Sequence, residues 1–183
     1  MRSLVIVLAC LLAACGGGGG GGGTPPPPPP TPITASFQPA ATPPAPSVVI
    51  NGPSSSQQGT ITLDLVASGV SSPAYGAAFD LDFNPNIVRF NSVQSGAFFE
   101  TAGQVSYQAA VSPSNAGKLV VGVTLLGSGS GATGTGRMLS VRFQILNTVG
   151  TSDLTFGGNS LVSPAGQTLP SLSWAAGSIQ TRR

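Results

Sequence analysis

Between residues 47 and 183 the apolar side chains recur at every second position rather than every third or fourth. Ile61, Leu63 and Leu65 alternate with Thr60, Thr62 and Asp64, and Phe79, Leu81 and Phe83 alternate with Ala78, Asp80 and Asp82. A period of two puts each apolar set on one side of an extended chain, so both segments read as half-buried strands. Leu119, Val121, Val123 and Leu125 form a third apolar face, with Lys118, Val120, Gly122 and Thr124 opposite, and Leu139, Val141, Phe143 and Ile145 form a fourth. Further strands are predicted at 48–51, 88–93, 105–111, 154–156 and 172–179. Turn chemistry separates them: Asn51-Gly52-Pro53, Asn84-Pro85-Asn86, Ser112-Pro113-Ser114-Asn115 and the Gly/Ser-rich run 127–136. No segment carries a sustained helical stripe. About nine short strands with polar turns predict an all-β, antiparallel two-sheet sandwich with jelly-roll or Greek-key connections.

The first 46 residues show no such alternation. Arg2, an apolar run over 4–12 and the sequence Leu12-Ala13-Ala14-Cys15 have the three parts of a bacterial lipoprotein signal peptide, with an apolar stretch too short to span a bilayer as a stable helix. Cleavage is expected before Cys15, which would carry acyl chains; each buried methylene is worth roughly 0.8 kcal/mol, so several chains anchor firmly. Eight glycines over 16–23 and six prolines over 25–30 follow, and Pro/Ala/Thr/Ser-rich sequence continues to residue 46. Glycine leaves the backbone free, and the proline block favours a polyproline II rod of roughly 19 Å, at about 3.1 Å per residue. The expected organisation is therefore a signal peptide at 1–14, a lipidated Cys15 with a disordered linker over 15–46, and one folded domain at 47–183. Gly16 stands where an aspartate would favour inner-membrane retention, so the expected location is the bacterial cell envelope, at the outer membrane if the cell has one.

Composition narrows the chemistry. The chain has seven Lys plus Arg, five Asp plus Glu and no His. No basic stripe with interleaved aromatics offers the charge that nucleic-acid binding requires. Cys10 leaves with the signal peptide and Cys15 is consumed by lipid, so the folded part has no thiol for a disulfide, a nucleophile or a metal. Without histidine, the usual general base and the commonest transition-metal ligand are also missing. Lys118 is the single lysine and no Ser-x-x-Lys spacing accompanies it. Asp80 and Asp82 share a strand face about 7 Å apart, a spacing open to glycosidase carboxylates or calcium ligands. A solvated strand face is favoured, because the calcium loop of closely spaced Asp/Asn with glycine and a terminal Glu is absent and a glycosidase needs a deep cleft. Glu100 and Asp153 read as loop or turn residues. No catalytic residue, cofactor or metal site is expected.

The order of motifs carries a family resemblance. Residues 75–90 run as an aromatic-alternating strand (Tyr75-Gly76-Ala77-Ala78-Phe79-Asp80-Leu81-Asp82-Phe83), an Asn84-Pro85-Asn86 turn and a second strand through Phe90. Val93-Gln94-Ser95-Gly96, the strand 117–126, the Gly/Ser loop, Leu139-Ser140-Val141-Arg142-Phe143, and the segments 151–156 and 172–179 follow in order. Together, over about 47–180, they resemble cohesin domains, the dockerin-receptor modules of cellulosome scaffolds. The resemblance implies a nine-stranded jelly-roll sandwich and a non-enzymatic, protein-binding role in extracytoplasmic assembly. It also implies a partner-binding sheet face that here comprises Gly76, Ala78, Asp80, Asp82, Val120, Gly122 and Thr124. Family members often carry polar hydrogen-bonding residues at the first two of these positions, where this chain has glycine and alanine. The alternative is a carbohydrate-binding module, for which Tyr75 and Tyr107 are the candidate sugar-stacking rings; Trp174, alternating with Leu172, is expected in the core.

Overall fold

The computed structural model describes residues 31–183 except 54, 57 and 58; the expected signal peptide, Cys15 and the glycine and proline blocks lie outside the described residues. Eleven strands and one helical turn are present among the described residues. In chain order they are β1 (Thr34–Pro39), β2 (Ser47–Asn51), β3 (Thr60–Ala74), β4 (Gly76–Asp82), β5 (Val88–Ser95), α1 (Ala97–Glu100), β6 (Val105–Ser112), β7 (Asn115–Leu125), β8 (Ala132–Ile145), β9 (Gly150–Val162), β10 (Ser173–Ala175) and β11 (Gly177–Arg182). A six-stranded sheet has the order β1-β11-β9-β4-β7-β6, and a five-stranded sheet the order β10-β2-β3-β8-β5. The two form a β-sandwich of the expected jelly-roll type.

The alternating residues do what their period requires. Ile61, Leu63 and Leu65 on β3 and Leu139, Val141 and Phe143 on β8 face Phe79 and Leu81 on β4 and Leu119, Val121 and Val123 on β7, and all are buried. Aromatic rings join the sheets: Phe83 meets Phe143 edge-on with centroids 5.2 Å apart. Phe79, Phe156 on β9 and Trp174 on β10 form a cluster with centroid separations of 5.6, 5.7 and 5.0 Å. Such offset and edge-on pairs are each worth about 0.5–1.5 kcal/mol beyond the area they bury. Trp174 is thus held against the core, half-buried.

Four expectations are corrected. The strand count is eleven rather than nine. The extra first strand, β1, falls inside the segment 15–46 read as linker: Ala35 and Phe37 are buried, and Thr34 to Pro39 pair antiparallel with β11 from Arg182 to Gly177. Two alternating apolar residues among prolines and threonines suffice, because an existing sheet edge supplies the hydrogen bonds. Segment 172–179 divides into β10, parallel to β2, and β11, antiparallel to β9, so one apparent strand serves both sheets. Within the run read as a turn, β8 already begins at Ala132, continuing as a ladder with β3 through register shifts. The helical turn α1 packs against β8 and buries Phe98 and Phe99.

Candidate functional site

The cross-strand register assembles the expected partner face from β9, β4, β7 and β6. Ala78 lies between Ser160 and Gly122, and Gln108 on the edge strand continues that row. Asp80 lies between Gly157 and Val120, with Ala110 beyond, and Asp82 lies between Thr155 and Lys118. Period-two alternation sends all of these away from the core. The centre of the face is made of small residues. A Cβ added at Gly122 would meet nothing within 4 Å, and Val120 is 47% exposed, a large apolar residue standing in solvent. Thr124, next along β7, is also exposed.

Gly76 departs from expectation. Its register places it outward, between Thr124 and Val162, but it is buried, and a Cβ there would lie 2.6 Å from the Val123 carbonyl oxygen. The β7 backbone closes over this end of β4, so Gly76 permits close strand approach and offers no surface to a partner.

At the other end of β4, Asp80 and Asp82 are not free carboxylates. The Lys118 Nζ donates a hydrogen bond to Asp80 Oδ2 at 3.0 Å and stands 4.0 Å from Asp82 Oδ1. The hydrogen bond to Asp80, then the negative charges of Asp80 and Asp82, raise the Lys118 pKa above the ordinary lysine value. An ammonium between the two acids leaves the trio with one net negative charge at neutral pH. The position that a calcium ion or a glycosidic oxygen would need is filled by a side chain of the same sheet. Lys118 was legible as a face residue from its alternation with Val120, Gly122 and Thr124; its contact with two acids required the β4–β7 register. Gln108 and Ala110 join the face through the β6–β7 register, and Ser160 through the β4–β9 register.

The tyrosines do not form a platform. Tyr75 is half-buried against the core at the β3–β4 junction, its hydroxyl donating to the Gly127 carbonyl, while its own N–H donates to Val162 O at 2.7 Å and its carbonyl accepts from Leu125 at 2.8 Å. Tyr107, on the edge strand, is 41% exposed, but its register partner is the inward-facing Val123, so it points to the opposite side of the sheet from Gly122. Sugar stacking on Tyr75 and Tyr107 is therefore corrected: one ring is a structural clip, and the other stands alone. Glu100, in α1, accepts a hydrogen bond from Ser95. Asp153 is exposed on β9, opposite Ser178.

No curated protein matches the chain. Several solved structures share its fold at low identity. A non-cellulosomal cohesin from the hyperthermophilic archaeon Archaeoglobus fulgidus is 16% identical, with a TM-score of 0.52 over 66% of this chain and 80% of its own. A type II cohesin–X-dockerin complex from Acetivibrio cellulolyticus is 14% identical, with a TM-score of 0.57 over 78% of this chain and 95% of that one. The second type II cohesin module of the ScaA scaffoldin from the same organism is 13% identical, with a TM-score of 0.56 over 81% and 90%. The Cohesin domain model matches residues 46–180, well over half of the sequence, and on that match this chain belongs to the cohesin-domain family.

Proposed function

We propose that this chain is a non-enzymatic receptor module that binds a dockerin-type protein across the outer face of β9, β4, β7 and β6. One observation carries the reading: a flat patch of Ala78, Ala110, Val120 and Gly122 with open space above Gly122. A patch without protruding side chains lets a helix approach the sheet closely, and exposed Val120 supplies an apolar anchor of the kind that dominates binding energy. Asp80, Asp82 and Lys118 edge the patch with charge that favours a basic group on the partner. Support also comes from a fold neighbour that is itself a cohesin–dockerin complex.

The test is titration of the mature protein with dockerin-bearing exported proteins of the same organism. Saturable binding is expected, and Gly122→Trp, which starts from a Cβ with nothing within 4 Å and adds a bulky ring to the patch, is expected to weaken it at least tenfold, about 1.4 kcal/mol. Absence of saturable binding, or an unchanged affinity in Gly122→Trp, would overturn the reading. We further propose that the module is displayed from a bacterial membrane through lipid on Cys15. Supporting this are the apolar run 4–12 and the Ala13-Ala14-Cys15 junction. Cys15→Ser should abolish incorporation of labelled acyl chains in cells; retained labelling would sink the anchor.

A further inference from the structure

The outer face of the five-stranded sheet has a different chemistry. Its rows are Asn51, Asp64, Ser140 and Gln94; then Thr62, Arg142 and Ser92; then Thr60, Gln144 and Arg89. Between β2, β3, β8 and β5 lies an open depression of about 640 Å³, its lining including Asn51, Asp64, Gln94, Arg137, Ser140 and Arg142. Pro53 is the one apolar side chain along it.

Charge on this face is unbalanced: Arg89, Arg137 and Arg142 stand against Asp64. Asp64 is used internally, accepting from Ser140 Oγ at 2.6 Å and lying 3.8 Å from Arg137 Nη1. Arg142 Nη2 donates to Thr60 Oγ1 at 2.9 Å and Arg89 Nη2 to Gln144 Oε1 at 2.7 Å, and neither guanidinium has a carboxylate partner among the described residues. Each guanidinium carries five N–H donors in a fork that matches a carboxylate, so most of that capacity faces solvent. Arg89, paired with Gln144, lies beside the depression rather than in its lining, one row along the same face from Arg142, with a register shift between Phe90 and Ser92 separating the two rows.

We propose that this depression binds a carboxylate-bearing polysaccharide, Arg142 within it and Arg89 on the adjoining row of the same face pairing with successive acid groups, and the Asn51, Thr62, Ser140 and Gln94 side chains with its hydroxyls. Charge complementarity points to a polyanion, and the lining chooses among polyanions. A protein partner would need an apolar anchor in a desolvated centre, whereas this floor consists of hydroxyls, amides and guanidinium groups. The depression lies on the opposite side of the sandwich from the Gly122 patch, so both ligands can be held at once.

The test is affinity electrophoresis of the full mature chain through gels containing polygalacturonate, its fully methyl-esterified form, or poly-glutamate. Retardation by polygalacturonate alone is expected, with the association constant falling at least about fivefold in the double variant Arg89→Gln, Arg142→Gln. About 0.5 M salt, where the screening length is below roughly 5 Å, should abolish it. Gly122→Trp, on the other face, should migrate as the parent does. Equal retardation by the esterified polymer, equal or stronger retardation by poly-glutamate, an unchanged double variant, or an equal loss in Gly122→Trp would each overturn the proposal. Both arginines are exposed and lie outside the core, and an unchanged thermal midpoint in the double variant separates loss of the site from loss of the fold.

Discussion

The two outer faces of this sandwich are built on the same principle and decorated in opposite ways. Around Gly122 the six-stranded sheet carries small residues, an exposed valine and a lysine clasped by two aspartates. Around Arg142 the five-stranded sheet carries hydroxyls, amides and two guanidinium groups without a carboxylate partner among the described residues. The inner faces are alike in kind, dominated by Leu, Val, Ile, Phe and Ala. Core packing therefore fixes where a face is, and the outward half of each strand alone decides what it can bind. In a chain with only twelve Lys, Arg, Asp and Glu in total, gathering three arginines on one face and a net negative trio on the other is a substantial fraction of the charge it has.

The strongest way to break this contrast is to remove the support that both faces share. Phe79 lies under the six-stranded face, 2% exposed, and touches Trp174, which belongs to the other sheet. Phe79→Ala should cost about 3–5 kcal/mol of stability and lower the thermal midpoint by roughly 10 °C, read by calorimetry or by urea denaturation. Binding on both faces should weaken together as the folded fraction falls. A cost below about 1 kcal/mol would mean that the inter-sheet aromatic cluster is not a joint support.

Smaller effects sharpen the contrast. Gly122→Trp and the Arg89/Arg142 double variant should each weaken one binding activity and leave the other, because solvent-facing substitutions usually change stability by no more than about 0.5 kcal/mol. The smallest expected effect concerns Lys118. Its pKa is raised in the folded state, so its contribution to stability is fully present below the ordinary value of 10.5 and is lost as pH rises through the higher folded value. The difference in urea midpoint between the parent and Lys118→Met should accordingly be constant from pH 7 to about 10 and shrink above about 10.5. A difference that stays constant to pH 12 would show that the two aspartates do not hold the ammonium.

Much of the fold was legible because burial writes itself as alternation. The runs around Leu63, Leu81, Val121 and Val141 each gave a strand on the correct side. Where alternation is short or borrowed, the signal fails. Ala35 and Phe37 are only two apolar positions in a proline- and threonine-rich stretch, and what makes β1 a strand is the waiting edge of β11. In Ser173–Ala175 and Gly177–Arg182 a continuous pattern conceals a transfer from one sheet to the other at Ala176. The partner face was legible as the outward residues of β4 and β7, while its contents were not. Gly76 looks like an outward position until the close approach of β7 buries it, and Asp80 and Asp82 look like a free pair until the register sets Lys118 beside Asp82. The arginine face was invisible for the same reason: Arg89 and Arg142 are 53 positions apart in sequence and reach one face only through the β5–β8 pairing.

The pairing of β1 with β11 has a consequence for wiring. Thr34 sits beside Arg182, so the chain enters and leaves this sheet through neighbouring rungs at one margin. β7 and β6 lie four and five strands away from β1, roughly 19 and 24 Å at the usual spacing. A module with adjacent ports can be spliced into a longer polypeptide like a bead on a short loop, with both joints on the same side. The far margin, where Gln108 and Ala110 complete the patch, then stays clear of whatever is joined at either port.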